Sequence, residues 1–140
     1  MNTSSPKIVD PDWVNPSETK PQVSIVVPVY NEVESLPYLI ETVSGILQTN
    51  DFRYEIICVD DGSRDGSTEL LRQLARQRDD LRAVLLRRNY GQTAAMAAGF
   101  EYACGVVVVT LDGDLQNDPN DIPQLLSKLN EGYDLVSGWR

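Results

Sequence analysis

The chain has 140 residues, enough for one domain with a single buried core, and its composition is that of an ordinary globular protein. An excess of 21 acidic over 12 basic residues, a net charge of -9, argues against a nucleic-acid footprint and leaves only local basic clusters to meet phosphate. With two cysteines and no histidine, a zinc centre, a Ser-His-Asp triad and a histidine general base are excluded, so any catalysis rests on carboxylates, a metal ion or cations.

Residues 1–21 carry four prolines among polar residues, with neither helical nor strand period, and read as a flexible N-terminal arm; the folded domain is expected over 22–140. Its first strand is Val23-Ser-Ile-Val-Val-Pro-Val29, running into Tyr30-Asn-Glu32. Leu36, Leu39, Ile40, Val43 and Leu47 recur at helical spacing, with Asn31 or Ser35 as candidate cap and Pro37 in the first turn. A second strand, Tyr54 to Asp60, ends in Asp60-Asp61-Gly62-Ser63. Asp65 is the expected cap of the next helix, whose apolar face is Leu70, Leu71 and Leu74 and whose Arg72, Arg76 and Arg78 read as solvated surface. Cys58 falls within the strand run and Cys104 at the end of a small-residue helix; both read as reduced thiols, as in a cytosolic compartment.

The third strand, Leu81 to Leu86, delivers Arg87-Arg88-Asn89. Gly91 and Gln92 then open a helix of alanines that is small enough to lie close against a sheet. Val106 to Val109 is β-branched and does not alternate, the pattern of a parallel strand covered on both faces, and it ends in Asp112 and Asp114 one residue apart. Asp118-Pro119 reads as a cap with proline in the first helical position, introducing Ile122, Leu125, Leu126 and Leu129. Tyr133 to Ser137 is a fifth strand, followed by Gly138, Trp139 and Arg140. Strands alternating with helices through short loops predict an α/β fold: a doubly wound, mostly parallel sheet with helices on both faces. No run reaches the roughly 18 apolar residues of a membrane span and the N-terminus lacks a signal-peptide core, so the chain as given is expected to be soluble.

In such sheets ligands bind in the crevice at the carboxyl ends of the strands. Here those ends carry Pro28, Tyr30 and Glu32, then Asp60, Asp61 and Ser63, then Asp112, Asp114 and Gln116. An aromatic with acidic groups suits a nucleobase, stacked on Tyr30 and paired through its N–H donors with Asp60 or Glu32. Asp112, Asp114 and Gln116 form a hard, oxygen-only set suited to magnesium or manganese. Arg87, Arg88 and the helix start after Gly91 can meet phosphate. The ligand so described is a nucleoside diphosphate with a divalent cation.

Val23 to Glu32, Val59 to Ser67, Arg88 to Gln92 and Leu111 to Pro119 together resemble the family 2 glycosyltransferases of GT-A fold. Within these the chain is most similar to the polyprenyl-phosphate glycosyltransferases, relatives of dolichol-phosphate mannose synthase. The resemblance spans about residues 22–140. It implies that Pro28, Tyr30, Glu32, Asp60, Asp61, Arg87 and Gln92 hold the nucleotide, Asp112 the ribose or metal, and Asp114 with Gln116 the metal, and that Arg140 stands near the phosphates. The reaction implied is inverting transfer of a sugar, glucose or a related hexose, from a UDP-sugar to polyprenyl phosphate at the cytoplasmic face of the inner membrane, with Asp112, Asp114 and Arg140 as the catalytic groups. A phosphate monoester has a second pKa of about 6, so such an acceptor needs no histidine base. The acceptor-side segment and membrane helices of the family are not in this chain, so nucleotide binding without transfer is expected, with membrane attachment and homo-oligomerisation left to a longer form.

A receiver-type magnesium-binding domain or a dehalogenase-type phosphatase needs its acidic pair after the first strand, and dinucleotide or P-loop binding needs glycine motifs that this sequence lacks. The remaining alternative is a lobe of such a transferase that binds nucleotide or oligomerises without turnover. Binding of UDP, GDP-mannose and NADH with and without manganese separates these readings.

Overall fold

The computed structural model describes residues 7–8, 21–112 and 118–130. Its centre is a sheet of β1 (Lys7–Ile8), β2 (Val23–Val29), β3 (Tyr54–Asp60), β4 (Leu81–Leu85) and β5 (Val107–Thr110) in the order β1-β4-β3-β2-β5, in which β2 to β5 run parallel. Helices α1 (Leu36–Thr49), α2 (Ser67–Gln77) and α3 (Gln92–Tyr102) make the crossovers, and a 3-10 turn over Pro119–Asp121 leads into α4 (Ile122–Asn130). The predicted fifth strand, residues 133–137, lies outside the described residues.

Both faces are covered, as the α/β reading requires. On one face Leu36, Leu39, Ile40, Val43 and Leu47 of α1, Leu71 of α2 and Ile122 and Leu126 of α4 pack on Ile25, Val27 and Ile56. Each such side chain, fully withdrawn from water, contributes about 1.5–3 kcal/mol. On the other face Ala95 and Ala98 of α3 meet Ile57, Val59 and Val84. The small residues of α3 are what let it lie so close: a methyl group at Gly99 would collide with Val26.

Several local expectations change in the folded chain. Part of the segment read as a flexible arm joins the sheet, because Lys7–Ile8 pairs antiparallel with Leu85 and Val84 as β1. The valine run is not covered on both faces: among the described residues β5 borders only β2, and Val106 is 74% exposed and Val108 39%. Ser35 occupies the N-cap of α1 but in helical conformation, without a side-chain capping bond. Gly66 is the N-cap of α2, while Asp65 one residue earlier accepts the Ser67 amide at 3.0 Å. Asp118 does cap its turn, accepting the Asn120 amide at 3.0 Å.

Pro28 sits inside β2 at no cost to the ladder. Val26 directs its carbonyl to the Leu111 amide on the β5 side, and Val29 directs its own to Asp61 on the β3 side. By alternation Pro28 faces β5, beyond the last paired residue there, Thr110, so its missing N–H is not needed.

At the amino end of the sheet a buried polar network ties strands to the end of α3. Glu55 accepts from Ser24 Oγ at 2.5 Å, from Arg82 Nη2 at 3.0 Å and from the Cys104 amide at 2.7 Å. Arg82 also donates to the Tyr102 carbonyl at 2.7 Å. Removing one partner of such a buried pair costs about 3–5 kcal/mol, because the other charge is left in the interior.

Cys58 and Cys104 are free thiols. Burial pushes the Cys58 thiol from 9.0 up to about 12. Below the ordinary thiol pKa neither state is ionised and the contribution is fully present; above it the unfolded chain loses its proton first, so stability falls as pH rises from 9 towards 12. Tyr54, raised to about 12 by burial and by its hydrogen bond to Asp80, adds to the same fall. Urea unfolding at stepped alkaline pH is expected to show a flatter decline for Cys58→Ala than for the parent, and parallel slopes would refute the assignment.

Candidate functional site

The carboxyl ends of β2, β3 and β4 and the start of α3 frame two adjoining cavities that share Tyr30 as a wall. The smaller, about 350 Å³, is bounded by Pro28, Glu32, Asp61, Gln92 and Asp112. The larger, about 760 Å³, is bounded by Asp60, Thr68 and the arginines Arg64, Arg72, Arg87 and Arg88. Tyr30 is 44% exposed, and its ring is available to both.

The loops that carry these residues are stitched to one another. Asn31 donates its amide to Ser63 Oγ at 2.8 Å and accepts the Arg64 amide at 2.8 Å. Glu32 donates its amide to Ser67 Oγ at 2.9 Å, and Val33 to Asp65 at 3.2 Å. Asp61, almost fully buried, uses one oxygen for the Tyr90 amide at 2.7 Å and the other for the Gly91 amide at 2.9 Å. That carboxylate therefore fixes the turn that starts α3. Asn31, in the loop between β2 and α1, stands at φ 55, a left-handed conformation that asparagine tolerates.

Asp60 is the most unusual group. It is 1% exposed and accepts the Thr68 hydroxyl on Oδ2 at 2.5 Å, while its Oδ1 is buried with no hydrogen-bond partner among the described residues. A buried carboxylate oxygen left unsatisfied costs free energy, and a ligand N–H is one way to recover it. Four arginines, Arg64, Arg72, Arg87 and Arg88, line the same cavity, and Arg88 lies over the Tyr90 ring at 5.2 Å.

Asp112, two residues past the end of β5, accepts from Gln92 Nε2 at 3.2 Å, joining the end of that strand to the start of α3. Asp114, Gln116 and Arg140 lie outside the described residues. Among the described residues no group of three or more His, Cys, Asp or Glu side chains gathers as a metal site. The donors around the smaller cavity, Asp112 with Glu32, are oxygen-only, which suits a hard divalent cation.

Of the sequence-predicted groups, Pro28, Tyr30, Glu32, Asp61, Gln92 and Asp112 meet at the smaller cavity, and Asp60 and Arg87 at the larger. Glu32 thus lies on the other side of Tyr30 from the larger cavity. Arg72, read as solvated surface, borders the larger cavity, and Thr68 and Asn89 belong to the site without having been singled out. Thr68 could have been suspected from its place in the first turn of a helix that follows an acidic strand end.

This mostly parallel sheet with helices on both faces and a strongly polar carboxyl edge is an α/β fold with a crevice at that edge large enough for a ligand. The family model described as glycosyl transferase family 2 matches residues 24–140, and the chain belongs to that family. It is 54% identical over 121 residues to the undecaprenyl-phosphate 4-deoxy-4-formamido-L-arabinose transferase of Yersinia enterocolitica, covering 86% of this chain. The chain spans 37% of the length of that relative. Among solved structures, glucosyl-3-phosphoglycerate synthase from Mycobacterium tuberculosis in complex with UDP is 26% identical, with a TM-score of 0.62 over 80% of this chain and 41% of that one. The mannosyltransferase of Pyrobaculum calidifontis in complex with GDP-Man and Mn2+ is 28% identical, with a TM-score of 0.56 over 79% of this chain and 32% of that one. Among the described residues no helix is long and apolar enough to cross a membrane.

Proposed function

We propose that this chain is the nucleotide-sugar-binding part of a glycosyltransferase that moves a sugar from a UDP carrier onto polyprenyl phosphate at the cytoplasmic face of the inner membrane. The observation that carries the reading is Asp60, a buried carboxylate with one oxygen that has no hydrogen-bond partner among the described residues, in a cavity that an accessible tyrosine also lines. Uracil has one imide N–H to give to that oxygen and a ring face to lay on Tyr30. The diphosphate then extends past Tyr30 towards the smaller cavity, where the amino end of α3 and Gln92 receive it.

In the transfer itself an oxygen of the lipid phosphate attacks the anomeric carbon, the bond from that carbon to the UDP oxygen breaks, and the configuration inverts. The acceptor is already a dianion near neutral pH, so no side chain has to remove a proton. Asp112 and Asp114, with Gln116, are the groups to hold a divalent cation, magnesium or manganese; when bound it neutralises charge on the departing diphosphate. Arg140 is assigned to the same phosphates on resemblance.

For the sugar, glucose gives way to 4-deoxy-4-formamido-L-arabinose, and for the acceptor we take undecaprenyl phosphate, because the relative from Yersinia enterocolitica carries both in its name. Membrane attachment and self-association through a longer form are proposed on the family resemblance alone.

Calorimetric titration tests the base pocket. Tyr30→Ala and Asp60→Ala are each expected to weaken UDP by about tenfold or more while leaving inorganic diphosphate unchanged, since each removes a contact to the base alone. Equal losses for both ligands would sink the assignment.

A further inference from the structure

Besides Tyr30, whose ring the base reading already uses, Asn89 lines both cavities and so stands where they meet. Asn89 is exposed, and among the described residues its carboxamide makes no hydrogen bond. Its main chain, by contrast, is held on both sides. Before it, Leu86 donates its amide to the Asp60 carbonyl at 2.9 Å, and the Arg88–Asn89 peptide lies so close to Gly62 that a Cβ there would stand 2.5 Å from the Asn89 nitrogen. After it, the Tyr90 and Gly91 amides donate to Asp61 at 2.7 and 2.9 Å. A short polar side chain on a clamped backbone has few torsions left to fix when a ligand arrives, so little entropy opposes its contact.

In a nucleoside diphosphate the ribose lies between the base and the phosphates. With the base beside Asp60 in the larger cavity and the diphosphate in the smaller, the ribose crosses at Tyr30 and Asn89. The chemistry at the crossing fits. Phosphate oxygens only accept hydrogen bonds, whereas ribose hydroxyls both donate and accept, and a carboxamide carries donor and acceptor together without a charge. An arginine at this place would offer donors alone, and an aspartate acceptors alone. We infer that Asn89 is a further binding residue, whose carboxamide takes one of the two vicinal hydroxyls of the ribose and makes the site read the sugar of the nucleotide as well as its base.

The inference rests on the base-pocket reading above, and its test separates the two. Dissociation constants of UDP, 2′-deoxy-UDP and 3′-deoxy-UDP are measured calorimetrically with manganese for the full chain and for Asn89→Ala, a change confined to an exposed side chain that leaves both backbone clamps in place. The parent is expected to bind at least one deoxy analogue about fivefold more weakly than UDP. Asn89→Ala should bind UDP more weakly by a similar factor and lose the preference for UDP over that analogue. A substitution that merely displaced the loop would lower all three affinities together and keep the parent's ratios, which overturns the role of Asn89. A parent that binds all three alike overturns it too. In either case the UDP and diphosphate titrations of Tyr30→Ala and Asp60→Ala still report on the base pocket by themselves. A parent chain that binds none of the three overturns the pocket and this inference together.

Discussion

Replacing Gly62 by alanine is expected to destabilise the fold by about 2–5 kcal/mol and to disturb nucleotide binding in whatever folded protein remains. Gly62 adopts φ 74, and a Cβ there would stand 2.5 Å from the carbonyl carbon of Arg88 and 2.5 Å from the amide nitrogen of Asn89. The left-handed conformation costs an L-residue roughly 1–2 kcal/mol, and overpacking against atoms that cannot rotate away adds about 1–3 kcal/mol. Both colliding atoms belong to backbone, so relief comes only by moving the loop that carries Arg87, Arg88 and Asn89. Urea unfolding with a parallel UDP titration checks this. An unchanged midpoint would mean that the two loops do not approach as described.

The second large effect is expected at Asp114. Asp114→Ala should remove the manganese-dependent part of UDP affinity, a loss of about 100-fold or more, while the far-ultraviolet circular dichroism spectrum stays as in the parent. A cation that bridges protein and diphosphate contributes several kcal/mol of charge stabilisation, and each 1.4 kcal/mol is about tenfold in affinity. Asp114 stands two residues after Asp112 in the sequence, and its replacement is expected to take away a proposed metal ligand. UDP affinity that responds to manganese equally in both proteins would remove Asp114 from the metal site.

The strands were legible because Val23 to Val29 and Tyr54 to Asp60 are long β-branched runs that lack the helical period, and the helices because Leu36 to Leu47 repeats at helical spacing. The acidic and aromatic groups at the strand ends were legible for the same reason: once the strands are placed, their carboxyl ends follow. Pairing partners are a different matter. Lys7–Ile8 is a two-residue strand with no period of its own, held by backbone bonds to β4 that any residues could make. The valines of β5 looked interior because apolar runs usually are, but β5 borders a single neighbour among the described residues. Arg72 is exposed as expected and also borders the larger cavity, because helical patterning reports which side faces the core, not which side faces a cavity. The two hydrogen bonds that the Tyr90 and Gly91 amides donate to Asp61 join residues far apart in sequence through anonymous backbone groups, and such bonds leave no pattern to read.

The stitched loops have one further consequence. The bonds that hold the frame of the site run from backbone amides, which every residue except proline possesses, to a handful of acceptors: Asn31, Asp61, Ser63, Asp65 and Ser67. The side chains at Tyr30, Arg64, Tyr90 and Gln92 are not among those acceptors. A lineage could therefore exchange these outward-facing letters, and with them its choice of donor, by single mutations that keep the frame intact. Changes at the five acceptors have no such freedom, so the inherited record of this site should divide into a slow scaffold and a fast vocabulary.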